Sequence, residues 1–320
     1  MNYDISINCR LPTKNCLLNS GASHCLLETE KLPTGNSPLL IVILGPTGVG
    51  KTDFSLSLAR KLSTVIVSAD ARQVYREMKI GTAPPDAQQL AEVPHYFIGS
   101  HSIREHYTAG QYELDALALL EKLFVSHPVA LLTGGSGLYI DAVCYGIDNF
   151  PETDLPLRAE LSKRLQTEGI ESLRWQLKQL DETSYRSIDL KNPQRIIRAL
   201  EICLSTGKPY SEWKTGVRKK RPFEIVKIGL QRPRGELYAR INARTLQMMD
   251  NGLLEEARKL YPCKDLPALK TVGYTELFDY LDGKTTLEKA IQLIQQHTRN
   301  YAKRQLSYWS RYDDIQWQEM

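Results

Sequence analysis

Residues 45–52 read Gly45-Pro46-Thr47-Gly48-Val49-Gly50-Lys51-Thr52, directly after the apolar run Leu39–Leu44 and before a helix-compatible stretch that starts at Asp53. Strand, glycine-rich turn and helix in this order build an anion cradle. The glycines let the turn fold back so that successive backbone N–H groups point inward, and the positive end of the next helix adds to the field. Lys51 can then neutralise a terminal phosphate and the Thr52 hydroxyl can hold Mg²⁺. The motif predicts a polyphosphate site without naming the polyphosphate or the reaction.

Two further groups could complete the chemistry. Asp70 ends the second apolar, β-branched run, Thr64–Ala69. A carboxylate there can hold Mg²⁺ through water, act as a general base or cap the next helix. Arg240 and Arg244 lie four apart, on one face of a predicted helix. They suit either a solvated surface or a bidentate clamp on phosphate oxygens.

The elements that must position these groups follow from the pattern. A third strand is predicted over Val129–Thr133, preceded by a helix near residues 111–124 and followed by Gly134-Gly135. Strands alternating with helices imply a parallel sheet covered on both faces, with ligands at the carboxyl ends of its strands. Gly45–Thr52, Asp70 and Gly134-Gly135 all fall at those ends. Between 151 and 190 the leucines at 157, 161 and 165, then 173, 177 and 180, predict short amphipathic helices. A helix over 193–204 stops at Gly207, the run Ile225–Leu230 rejoins the sheet, and the remainder is helical, ending in a long helix over 285–309. The expected fold is α/β, a P-loop NTPase-like parallel sheet flanked by helices, with a small all-helical insertion domain at 151–190. The core spans 38–150 and 191–320.

Composition narrows the class. Apolar residues make up 42% and charged residues 24% of 320, an ordinary soluble mix, and the net charge is only +4. The basic residues cluster instead: Lys214, Arg218, Lys219, Lys220, Arg221, Lys227, Arg232 and Arg234 face a single acid, Glu224. Such a run is either solvated surface or a lining for a phosphate backbone. The six cysteines form no C-x-x-C and no zinc spacing, and no run is long enough to span a membrane, so free thiols in a cytoplasmic setting are expected. Residues 1–37 lack periodicity and are expected to be a disordered or non-native extension. His101 and His106 have no metal-ligand spacing. Tyr301, Tyr308, Trp309, Tyr312 and Trp317 are expected to pack a helix rather than stack on bases.

From Leu39 to Trp309 the chain resembles the bacterial tRNA dimethylallyltransferases, also called tRNA isopentenyltransferases. The resemblance rests on GPTGVGKT (45–52), SADARQVY (68–75), IGTAPP (80–85), VPHYFIG (93–99), YTAGQYELDA (107–116), TGGSGLY (133–139), NPQRIIRALEI (192–202), YARINART (238–245), VGYTEL (272–277) and AKRQLSYW (302–309). It implies transfer of a dimethylallyl group from dimethylallyl diphosphate to N6 of adenosine at position 37, in tRNAs reading codons that begin with U. Gly45, Pro46, Thr47, Gly48, Val49, Gly50, Lys51 and Thr52 would then cradle the diphosphate, with Mg²⁺ on Thr52. Thr47 would reach the bridging oxygen, Lys51, Arg240 and Arg244 would offset the leaving charge, and Asp70 would take the N6 proton.

The resemblance also implies that Asp70, Ala71, Arg72 and Gln73 meet the target base and its neighbours, although the family commonly has Ser where Ala71 stands. Ser136, Arg158, Gln194, Arg195, Ile196, Ile197 and Arg198 match tRNA-contacting positions; of these, Ile196 and Ile197 are predicted to pack inward. The implied partners are the anticodon stem-loop of tRNA and dimethylallyl diphosphate, the expected state is a monomer, and no membrane is involved. The alternative reading is a small-molecule kinase using ATP. It would need a lid arginine pair and an adenine-binding strip that the sequence does not display. A P-loop switch or RNA-dependent ATPase would want a carboxylate at the end of Val129–Thr133, where glycines stand instead.

Overall fold

The computed structural model describes residues 37–320, so the expected extension, with Cys9, Cys16 and Cys25, lies outside the described residues. Strand β1 (Leu39–Leu44) is buried along all six residues, the signature of a strand covered on both faces. Its even residues Leu40, Val42 and Leu44 face one core and its odd residues Leu39, Ile41 and Ile43 the other. The next elements are α1 (Lys51–Leu62), β2 (Ile66–Ser68), α2 (Ala87–Glu92), the short edge strand β3 (His95–Tyr96), α3 (Ala109–Leu123), β4 (Val129–Gly134) and α4 (Gly137–Tyr145). The six-stranded sheet runs β3-β2-β4-β1-β5-β6 with every pair parallel, where β5 is Glu224–Gln231 and β6 is Ile315–Glu319. The expected α/β sheet flanked by helices is therefore present.

Between α4 and β5 lie α5 (Leu155–Glu168), α6 (Ile170–Leu180), α7 (Glu182–Ser187), α8 (Pro193–Thr206) and α9 (Tyr210–Trp213). Leu161, Leu173 and Leu177 pack on Ile196, Ile197, Ala199 and Leu200, forming a core of their own. Helix α8, which the sequence reading places with the sheet, thus shares the core of α5 and α6, and the helical unit extends beyond residue 190. Within it the fully buried Glu201 accepts from Arg198 (2.5 Å) and Arg158 (3.3 Å). Asp154 N also donates to Glu201 at 3.0 Å, so the buried carboxylate keeps partners on both oxygens.

After β5 come α10 (Arg234–Asp250), α11 (Leu253–Leu260), α12 (Tyr274–Leu281) and α13 (Leu287–Trp309), followed by β6. Strand β6 departs from the all-helical ending expected; its five residues add an edge to β5, with Ile315 opposite Lys227. Much of the basic run is structural rather than free. Arg221 and Lys219 pair with the buried Glu113 at 2.8 and 3.2 Å, and Lys227, itself buried, pairs with Asp314 at 2.8 Å. None of the described helices is long and apolar enough to cross a membrane.

Candidate active site

The glycine loop takes the shape its sequence requires. A Cβ on Gly45 would lie 2.6 Å from the Leu230 carbonyl oxygen, so β1 can leave the sheet beside β5 only through glycine. Gly48 and Gly50 have φ of 84° and 112°, conformations that L side chains rarely adopt, and Gly50 opens α1. Lys51 folds back over the turn, donating to Gly45 O (2.9 Å) and Pro46 O (3.0 Å). Burial pushes its ammonium down to about 8, against the pull of Asp70, while Arg244 lowers it further.

Asp70 stands where β2 ends. Its Oδ1 accepts from Arg72 N (2.8 Å) and Gln73 N (3.2 Å), so the carboxylate fixes a turn through one oxygen and caps no helix. The turn is clamped from β4. A Cβ on Gly134 would meet Ala69 O at 2.2 Å, and Ser136 Oγ accepts from Ala71 N at 2.9 Å. Helix α10 brings the arginine pair onto the loop: Arg240 Nε donates to Gly48 O (2.9 Å) and Arg244 to Thr47 Oγ1 (2.5 Å). Burial lowers the Arg244 guanidinium below its ordinary value, with Asp70 opposing. Three segments far apart in sequence thus converge on one point.

Two cavities meet there. One, of about 670 Å³, is lined by Thr47, Lys51 and Thr52 of the loop, by Thr133 and Gly134 of β4, and by Arg240 and Arg244. The other, of about 280 Å³, is lined by Ala71, Arg72, Ser136, Met248, Leu253, Val272 and Ile294. Thr47, Asp70, Thr82, Arg244 and Tyr301 wall both.

The remaining expected residues divide. Gln73 donates to Thr82 O (3.2 Å) and Ala83 O (3.0 Å), so its amide holds the 80–85 loop. Arg158 and Arg198 are engaged with Glu201. Ile196 and Ile197 are fully buried in the helical core, which removes them from any surface that RNA could touch. Arg195 and Gln194 are exposed, and with Asn192, Arg198, Tyr210 and Lys214 they line a third cavity of about 410 Å³. Ser136, which lines the second cavity, also anchors the Asp70 turn through its Oγ.

Sequence reasoning missed Tyr301, Gln305 and Thr133. The sequence predicts that Tyr301 packs a helix, yet it walls both cavities, and Gln305 and Thr133 line the first. The spacing of Tyr301 and Gln305, four apart on α13, was the available signal. Glu256 was also missed. It accepts from Lys79, Ile80 and Gly81 N–H groups and from Tyr274 OH, fixing the loop beside the cavities.

The sequence model of the family described as IPP transferase matches residues 73–312. The chain is 53% identical over 278 residues to tRNA dimethylallyltransferase 1 of Phocaeicola vulgatus, covering 87% of this chain and 93% of that protein. It is 50% identical over 278 residues to tRNA dimethylallyltransferase 1 of Porphyromonas gingivalis, with the same two coverages, 87% and 93%. Among solved structures, the full-length tRNA isopentenylpyrophosphate transferase of Bacillus halodurans is 36% identical, with a TM-score of 0.63 over 88% of this chain and 89% of that one. A eukaryotic dimethylallyltransferase solved acting on tRNA has a TM-score of 0.73 at 24% identity, covering 88% and 74%, a likeness of fold. These relatives favour prenyl transfer over the small-molecule kinase. The family match runs through the arginine pair, the β4 turn and the α13 residues that wall the two cavities, and on that extent the chain belongs to the IPP transferase family.

Proposed function

We propose that this protein transfers a dimethylallyl group from dimethylallyl diphosphate to N6 of adenosine at position 37 of tRNA, beside the anticodon, in tRNAs reading codons that begin with U. The observation that carries this reading is the meeting of two cavities at Asp70, Thr47 and Arg244. A donor seated by its diphosphate on the glycine loop and an acceptor arriving past Ala71, Arg72 and Ser136 come together at one carboxylate.

The donor's allylic C–O bond breaks and its electron pair leaves with the diphosphate. Lys51, Arg240 and Arg244 already surround the loop, so positive charge is in place before negative charge develops, and little reorganisation is required. The N6 lone pair, delocalised into the purine, forms the new C–N bond, and Asp70 accepts the proton that N6 loses. A positioned base of this kind contributes about 10²–10⁴-fold.

The chain's residues fit Mg²⁺, which takes few protein ligands and keeps several waters. Thr52 lines the phosphate cavity at the first turn of α1, and Thr133 Oγ1, in the same wall, is buried without a hydrogen-bond partner and suits a water of a hydrated ion. When bound there, Mg²⁺ neutralises charge on the departing diphosphate.

The adenine must leave its stack to reach Asp70, at a cost of a few kcal/mol. Arg195 and Lys214, on the helical unit, can offset this through backbone phosphates. The enzyme of this reading acts as a cytoplasmic monomer. The decisive experiment supplies Mg²⁺, unmodified tRNA and dimethylallyl diphosphate labelled in the prenyl group, beside a reaction with γ-labelled ATP and candidate small metabolites. Prenyl label in tRNA at the adenosine beside the anticodon supports the reading. Label passing only from ATP overturns it.

A further inference from the structure

Helix α13 buries Gln305 (5% exposed) between Ala302 and Trp309, on a stripe that is otherwise apolar. A buried primary amide must find partners for both ends. Gln305 Oε1 accepts from Thr47 N at 2.8 Å, and Gln305 Nε2 donates to Gly135 O at 2.8 Å. A backbone N–H can only donate and a carbonyl can only accept, so the two partners fix which end of the amide is oxygen. A Cβ at position 135 would lie 2.4 Å from Gln305 Nε2, so a side chain there would have to push the amide out of its place. The amide is therefore a strut between the glycine loop and the end of β4, joining residues 258 and 170 positions apart from it.

The strut bears on the reaction through Thr47. Its backbone N–H, one of the loop donors that could turn toward an anion, is committed to Gln305, while its hydroxyl accepts from Arg244. With the main chain held at one end and Oγ1 at the other, Thr47 has one orientation where the cavities meet.

We propose that Gln305 is a positioning residue for group transfer: it sets Thr47 so that the threonine hydroxyl faces the bridging oxygen of the departing diphosphate. This rests on the prenyl-transfer reading above. Although Gln305 lines the phosphate cavity, its amide oxygen and nitrogen are each engaged by a main-chain atom, and its effect on the reaction runs through Thr47. A displacement on the scale of 1 Å at such a group costs about 10²-fold in rate.

The test is a double-mutant cycle. Q305M keeps the volume and removes both hydrogen bonds, and Q305N keeps the amide but cannot span both partners. Each is made in the parent and in T47A, which retains the backbone N–H and lacks the hydroxyl. Expected in the parent background is a kcat loss of about 10- to 100-fold with tRNA affinity within about threefold. In T47A either change costs less than about twofold more, since the group that Gln305 orients is gone. Losses that multiply across the two backgrounds, or a parent kcat within twofold for both variants, overturn the inference. Two variants guard against one failing to fold. Inorganic pyrophosphate affinity, read by calorimetry on the same six proteins, should show the same coupling. It requires no transfer, so failure of the Gln305–Thr47 link is told apart from failure of the prenyl-transfer reading, which the parent protein's labelling settles.

Discussion

Lys51 should make donor binding depend on pH within an accessible window. In the free protein its ammonium is held down to about 8 by burial. A diphosphate on the loop places several negative charges beside Nζ. At an effective dielectric of about 20 and a separation of about 4 Å, each is worth about 4 kcal/mol, or about three pKa units. The bound form therefore stays protonated well above 8, and binding takes up a proton wherever the free lysine has lost one. The sign follows: affinity is full below 8 and falls as pH rises through it. Between pH 7 and pH 9.5 the charged fraction drops from about 0.9 to about 0.03, so affinity should fall by about 30-fold, or about 2 kcal/mol.

Two other titratable groups lining the phosphate cavity leave that window clear. Burial raises Tyr301 to about 12, so it stays protonated, and burial lowers His95 below its ordinary value, so it stays neutral. The assay is calorimetric titration with dimethylallyl diphosphate and no tRNA, so that no transfer occurs, in buffers of differing ionisation enthalpy. Uptake should approach one proton per site at pH 9.5. K51R, charged throughout, should flatten the profile. A flat wild-type profile, or an unchanged slope in K51R, would refute the argument.

Three further outcomes are expected. Asp70→Ala should lower single-turnover prenylation by at least about 10²-fold with tRNA affinity within a few-fold, and a variant keeping more than a tenth of the parent rate would remove the base role. Arg195→Ala should weaken tRNA binding and reduce the slope of log affinity against log salt by about one, whereas an identical slope would take Arg195 out of the interface. Gly134→Ala should destabilise the fold by about 3 kcal/mol, the upper range for overpacking, because its Cβ would meet Ala69 O at 2.2 Å. A melting temperature equal to the parent's would contradict that contact.

What the sequence disclosed has a common character. The glycine loop, Asp70 and the Arg240–Arg244 pair are local signals: each is read within one turn, one strand end or two helical turns. The sheet was legible because β1 is apolar throughout and glycines punctuate the strand ends. Gln305 escaped because both its partners are backbone atoms far along the chain, and its spacing of four from Tyr301 is one that many pairs on a long helix share. Strand β6 escaped because five residues reading Ile-Gln-Trp-Gln-Glu gain strand character only from β5 beside them. The apolar stripe of α8 does not say which core it joins, so the sequence alone places it with the sheet. The same stripe explains why Ile196 and Ile197, though inside a matched motif, are buried behind the arginines.

Arg232 ties the last strand to the glycine turn. Its Nε donates to Val49 O at 2.8 Å and its NH1 to Met320 O at 3.0 Å, tying residue 320 to the glycine turn near the start of the fold. A nascent chain halted at residue 300 would carry the glycine turn and the carboxylate, yet lack the glutamine strut and the sheet edge beside them. Residues 301–320 are therefore part of the site: a chain cut back before Gln305 keeps the loop and the carboxylate but has no finished pocket.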